Sequence, residues 1–302
     1  MKIENKNHKD TVFRRLFSDR VRLLELYNAI NKTEYTNPND LTIKTLKGVT
    51  FLGMKNDVSF ILDYEINLYE HNSTPCPNIP LRFLLYIASS HKKLVPLKDT
   101  YKSGLVKIQA PRFFVFYNGT ASLPDQFEYR LSDMFIKETV NPCLELRATV
   151  LNVNEGHNKE LMESCKTLNE YSIFVSKVRK YTQEAKLLYT AKEYQSKKKD
   201  LIKEAVTRAI DECISEDILK DFFTSNREEA IEMSTLECTA EEYYQVVADE
   251  SFDKGLSQGL SQGIVGAVNL LRSMGTDDET IIHKIMSEFS LSETEALIYV
   301  KG

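Results

Sequence analysis

The stretch MKNDVSFILDYEINLYEHNST, residues 54–74, sets two acids, Asp57 and Glu70, in what otherwise reads as two apolar-rich strands turning at Asp63-Tyr64. With the turn centred there, paired residue numbers sum to 127: Asp57 faces Glu70, Ser59 faces Leu68 and Ile61 faces Ile66. Facing side chains have their Cβ atoms ~4.5–5.5 Å apart, so two carboxylates in this arrangement repel unless positive charge lies between them. A hard divalent cation with oxygen ligands, such as Mg²⁺, removes that repulsion. On the same face, two residues along, Lys55 falls opposite Asn72. The same spacing equally suits two solvated acids at the exposed ends of a hairpin. A register shifted by one residue would send the acids to opposite faces.

The elements that must position these residues follow from hydrophobic period. HKDTVFRRLFSDRVRLLELYNAIN carries Val12, Phe13, Leu16, Phe17, Val21, Leu24 and Tyr27 at helical spacings and reads as one or two amphipathic helices. Three strand-like segments come next: LTIKTLKGVTF, KNDVSFIL and EINLYEH. Beyond the Pro-rich STPCPNIP, LRFLLYIASSHKKLV has helical period; RFFVFYNG and LELRATVLNVN read as further strands. From about residue 157 the pattern is helical to the end, broken by the repeat GLSQGLSQG, whose glycines favour a flexible linker over a phosphate-cradling loop. SETE, residues 292–295, is a helix-capping pattern before the final apolar run. The expected organisation is a mixed α/β core over 1–156, a helical extension over 157–254, a linker over 255–263 and a small helical unit over 264–302.

Composition is that of a water-soluble globular chain, 42% hydrophobic and 27% charged over 302 residues, with no apolar run long enough to span a membrane. The start of the sequence lacks the apolar stretch of a secretory signal. Five scattered cysteines without a CxxC pattern argue against a disulfide framework and for a cytoplasmic setting. No two of the five histidines stand at i+3 or i+4, which disfavours a zincin-type centre, and Gly-x-Ser-x-Gly, Walker and Rossmann patterns are missing. Charge is divided unevenly. Residues 1–150 hold 21 Lys+Arg against 16 Asp+Glu, and residues 151–302 hold 18 against 28. A basic front suits a polyanion-binding module, although a half carrying +5 is also within ordinary variation.

KNDVSF, YEHNST and PLRFLLYI, with the leading HKDTVFRRLF, resemble the recombination-promoting nuclease (Rpn) or transposase-like branch of the PD-(D/E)XK nuclease superfamily. The resemblance covers the first ~155 residues and extends loosely into the repeat and helices of the tail. It implies a restriction-endonuclease-like mixed sheet flanked by helices, and metal-dependent hydrolysis of DNA phosphodiesters. It also implies Mg²⁺ (or Mn²⁺) held by Asp57, Glu70 and the backbone carbonyl of His71. At the position where the superfamily has Lys, and this branch commonly Gln, the chain has Asn72. Lys55 is the expected source of the missing positive charge, and Arg82, four residues before Tyr86 on a helix, suits a phosphate clamp and equally a packing or ion-pairing role. Asp10 resembles the family's opening motif and is expected to cap the first helix. Self-association through the helical tail is expected. The competing expectation is a catalytically weak nuclease fold that binds DNA or protein.

Overall fold

The computed structural model describes residues 11–43 and 57–301, apart from the side chains of Ile43, 241–254, 256 and 257. Two compact units divide the chain, residues 1–241 and 242–302.

In the first unit, α1 (Val12–Leu16) begins at Thr11, whose hydroxyl accepts from the Arg14 N–H at 3.2 Å. The cap is therefore Thr11 rather than Asp10, which lies outside the described residues. α2 (Arg20–Asn31) is capped by Asp19, which accepts from the backbone of Val21 and Arg22. Both helices bury an apolar stripe, Phe13 and Leu16 on the first, Leu23, Leu24 and Tyr27 on the second.

A mixed sheet follows, built from β1 (Thr42–Ile43), β2 (Val58–Leu62), β3 (Glu65–Asn72), β4 (Ala110–Tyr117), β5 (Gln126–Arg130) and β6 (Arg147–Asn152). Its spatial order is β1-β2-β3-β4-β6-β5, with β3/β4 and β4/β6 parallel and the other pairs antiparallel. Of the first expected strand, Leu41–Phe51, only β1 falls within the described residues. The β2–β3 register pairs Val58 with Tyr69, Ser59 with Leu68 and Ile61 with Ile66, the pairing read from the sequence. The turn residues Asp63 and Tyr64 both take positive φ, 47° and 61°, as a two-residue type I′ turn requires. Neither is glycine, and Tyr35 donates its hydroxyl to Asp63 Oδ2 at 2.7 Å, which helps hold the turn. Strand β5 was not anticipated; it is a short edge strand with largely exposed residues, so it lacks a strong hydrophobic signal.

Side-chain alternation sends each strand's residues to two cores. Ile66, Leu68, Phe113, Val115 and Val150 pack against α3 (Ile79–Leu94), which crosses from β3 to β4. Phe60, Tyr69, Phe114, Phe116 and Leu151 face the other way, toward α1 and α2. The same second core takes residues from α4 (Lys159–Ser164), α5 (Lys166–Leu188), α6 (Ala191–Ser215) and the start of α7 (Lys220–Ser273), which is kinked at Asn226. Tyr171, Phe174, Val178 and Tyr181 form the inward stripe of α5; Ile202, Val206, Ala209 and Ile210 form that of α6. The helical extension is thus continuous with the core, and the chain does not divide at 156/157.

The repeat at 255–263, expected as a linker, lies inside helix α7. Glycine costs only about 1 kcal/mol relative to alanine per helical position, and good helix formers extend the helix on both sides. In the second unit, Ile264 and Val268 of α7 pack with Ile281 and Ile285 of α8 (Asp278–Phe289) and Ala296 and Val300 of α9 (Glu293–Lys301). Ser292 and Glu295 form the expected reciprocal cap, with Ser292 N–H donating to Glu295 Oε2 at 2.9 Å and Glu295 N–H to Ser292 Oγ at 3.4 Å. Among the described residues no helix is long and apolar enough to cross a membrane.

Candidate functional site

β3 runs through the middle of the sheet, and its last residues alternate between two environments. Glu70 and Asn72 lie on the α3 side; His71 lies on the other. Continuing the β2–β3 register by one residue sets Asp57 opposite Glu70. The negative charges of both acids bear on the Tyr86 hydroxyl of α3.

Each acid is held by a specific donor. Asp57 Oδ2 accepts the backbone N–H of His71 at 2.8 Å, which ties the start of β2 to the end of β3. Glu70 is 2% exposed, so the alternative of two solvated acids fails for it. A buried carboxylate needs compensation, and Arg82 Nη2 donates to Glu70 Oε2 at 2.9 Å. Burial works most strongly against the Arg82 charge, but Glu70, Tyr86 and Cys76 together outweigh it and the guanidinium pKa is raised. Tyr86, one helical turn on, has its pKa raised by burial first and then by the charges of Glu70 and Asp57, with Arg82 opposing.

Asn72 is half-buried, two residues beyond Glu70 on the same face, and its Nδ2 is buried with no hydrogen-bond partner among the described residues. Such an amide donor costs about 1–3 kcal/mol when left unmet and commonly marks a place where water or ligand binds. Lys55, the expected cationic residue, lies outside the described residues. The charge found at this site belongs instead to Arg82. Its helix position was legible in the sequence; its contact with Glu70 was not, because that depends on how α3 crosses β3.

Behind the sheet, the His71 ring stacks on Phe13 with centroids 4.7 Å apart and planes inclined by 13°. Its Nε2 is 3.0 Å from the Tyr171 hydroxyl, which also accepts from Asn118 Nδ2 at 3.1 Å. Arg179 donates to the Asn118 carbonyl and to Asn154 Oδ1, closing a buried polar cluster that the sequence did not reveal. His71 Nδ1 is 3.6 Å from Glu237 of α7. Burial, followed by the charge of Arg179, lowers the His71 pKa to about 3, so the ring is neutral at pH 7.

The His71 shift makes stability depend on pH. Folded, His71 takes a proton only near pH 3; unfolded, it does so near 6.5. Between those values the unfolded chain binds the additional proton. His71's contribution is therefore complete above about pH 6.5 and is lost as pH falls through that window. At about 1.36 kcal/mol per unit, roughly 2 kcal/mol is gone by pH 5. His71→Phe keeps a ring against Phe13 and removes the titration. Urea melts at pH 7 and pH 5 should show a smaller pH-dependent loss for the variant than for the parent chain. Equal losses would mean that His71 is not a buried neutral group.

Among the described residues, no cluster of three or more His, Cys, Asp or Glu side chains could hold a metal ion. The arrangement instead offers two carboxylates and the backbone of β3, an all-oxygen donor set suited to a hard cation. Sequence and structure comparisons match this chain to no family model, curated protein or solved structure.

Proposed function

We propose that the protein is a metal-dependent DNA endonuclease of the PD-(D/E)XK type, related to the recombination-promoting nucleases, whose site is built on the hairpin β2–β3 and the first turns of α3. The observation that carries this reading is the buried Glu70 carboxylate at the end of central strand β3, paired with Arg82 and with the unmet Asn72 amide alongside, and Asp57 one residue beyond the paired register of β2, bonded to the His71 N–H. An energetically costly buried carboxylate at the end of a central strand is characteristic of a functional site.

Asp57, Glu70 and the His71 carbonyl would hold Mg²⁺ or Mn²⁺, since all three donors are hard oxygens. When bound, the ion supplies Lewis-acid stabilisation of phosphate oxygens and makes water a better nucleophile. The chain's own residues do the rest. His71 N–H fixes the Asp57 carboxylate, and Arg82 orients Glu70 and offers guanidinium N–H groups to a phosphate. Asn72 Nδ2 supplies a neutral donor where lysine would supply charge. The exposed apolar residues Leu260, Leu270, Met274 and Ile298 of the second unit support self-association through that unit.

A second reading keeps the fold and drops the chemistry, leaving a DNA-binding module. The Arg82–Glu70 ion pair favours it, because a carboxylate already satisfied by arginine has less need of a cation. Incubation of purified protein with supercoiled plasmid and Mg²⁺ separates the two. Nicking that EDTA abolishes supports the nuclease; DNA that is retarded in a gel but stays intact supports the module.

A further inference from the structure

We infer that the connection from α3 to β4 is a docking surface for the sugar-phosphate backbone of duplex DNA, an inference that rests on the nuclease reading above. Between His91 and Arg112 stand Lys92, Lys93, Lys98, Lys102, Lys107 and Arg112 against the single acid Asp99. That surplus of +5 equals the entire excess of the first 150 residues. Lys92 and Lys93 lie in the last turn of α3, Lys98 lies on a 3-10 turn over Leu97–Tyr101, and Lys102 and Lys107 lie on the approach to β4. All five lysines are exposed. Lys102 pairs with Asp99 at 2.6 Å, whereas Lys92, Lys93, Lys98 and Lys107 have no ion-pair partner among the described residues.

Apolar side chains stand exposed between these charges. Leu97, Tyr101, Leu105 and Ile108 are 70%, 82%, 89% and 54% exposed, and none belongs to a hydrophobic core. Residues three apart on a 3-10 turn share a face, so Lys98 sits beside Tyr101. A connection whose only task is to span needs neither unpaired lysines nor exposed aliphatic and aromatic surface. A duplex uses both. It carries one negative charge per ~1.7 Å of axis, and lysines that neutralise phosphates release counterions.

The position along α3 favours DNA over the other polyanionic surface such a patch suits, an anionic membrane. α3 contains no acidic residue, and Arg82, which holds Glu70, lies on the same helix as Lys92. Ten helical residues separate Arg82 from Lys92, about 15 Å along the axis. A duplex laid along α3 would meet the patch at one end and the candidate site at the other.

The test measures fluorescence anisotropy of a labelled duplex of about 25 base pairs with the full-length protein in EDTA, from about 50 to 200 mM salt. The parent chain is compared with a variant carrying K92Q, K93Q, K98Q and K107Q, all exposed and unpaired, and with Tyr101→Ala. The quadruple variant should bind at least tenfold more weakly at about 100 mM salt, with a log–log salt slope shallower by about 3. Tyr101→Ala should weaken binding with the slope unchanged. Unaltered affinity and slope in the quadruple variant, or no binding by the parent chain at the lowest salt, would overturn the inference. So would dependence on these lysines of binding to phosphatidylserine vesicles but not to DNA. Plasmid nicking keeps the two readings apart: lysine-dependent binding without nicking retains the surface and removes the nuclease. Nicking with DNA affinity undiminished in the quadruple variant does the reverse.

Discussion

Glu70→Gln and Asp57→Asn should each reduce Mg²⁺-dependent plasmid nicking by about a thousandfold while leaving the fold intact. Both exchanges keep size and shape and remove one negative charge. A carboxylate that anchors a catalytic cation contributes several kcal/mol of transition-state stabilisation, and at about 1.36 kcal/mol per decade ~4 kcal/mol corresponds to three decades. The Gln amide at position 70 still accepts from Arg82, and the Asn amide at position 57 still accepts from the His71 N–H, so the contacts at 2.9 and 2.8 Å survive. Calorimetric titration with Mn²⁺ gives a reading independent of turnover, since either substitution should weaken binding of the metal to the free protein. Nicking at the parental rate by both variants would remove this pair of acids from the chemistry altogether.

Arg82→Met should lower stability by about 2–3 kcal/mol. Removing one partner of a buried pair leaves the other charged without compensation, a loss of about 3–5 kcal/mol in fully buried cases. Here the Glu70 side chain is 3% exposed and the Arg82 side chain 28%, so water moderates the loss. For a unit of this size the midpoint of thermal unfolding should fall by roughly 5–10 °C. Arg82→Met combined with Glu70→Gln should recover most of the deficit, because the glutamine carries no charge to strand. The signature is that non-additivity, which a double-mutant cycle from urea melts measures. If the two single losses simply add, Arg82 acts through packing of its methylene stem and not through Glu70.

Much of this arrangement could be read from local pattern. The alternation in VSFIL and EINLYEHN, with a two-residue turn, was enough to set the β2–β3 register from Val58–Tyr69 to Leu62–Glu65. Period-2 and period-3.6 signals are carried by neighbouring residues, so such elements announce themselves. Edge strand β5 did not, because its exposed side chains leave little hydrophobic contrast. The Gly-Ser-Gln repeat misled in the opposite direction: glycine propensity argues against helix, yet the helix runs through it.

Taken alone, the amino-acid sequence determined the helix and strand periods, the hairpin pairing and the Ser292–Glu295 cap, since each depends on residues close in the chain. Tertiary structure alone decided that Arg82 compensates Glu70 and that His71 is buried between Phe13 and Tyr171. It also decided that α5 and α6 complete the core that α1 and α2 begin. Those contacts join segments as far apart as residues 71 and 171. Their partners are selected by which faces the sheet leaves uncovered, and local periodicity carries no record of that.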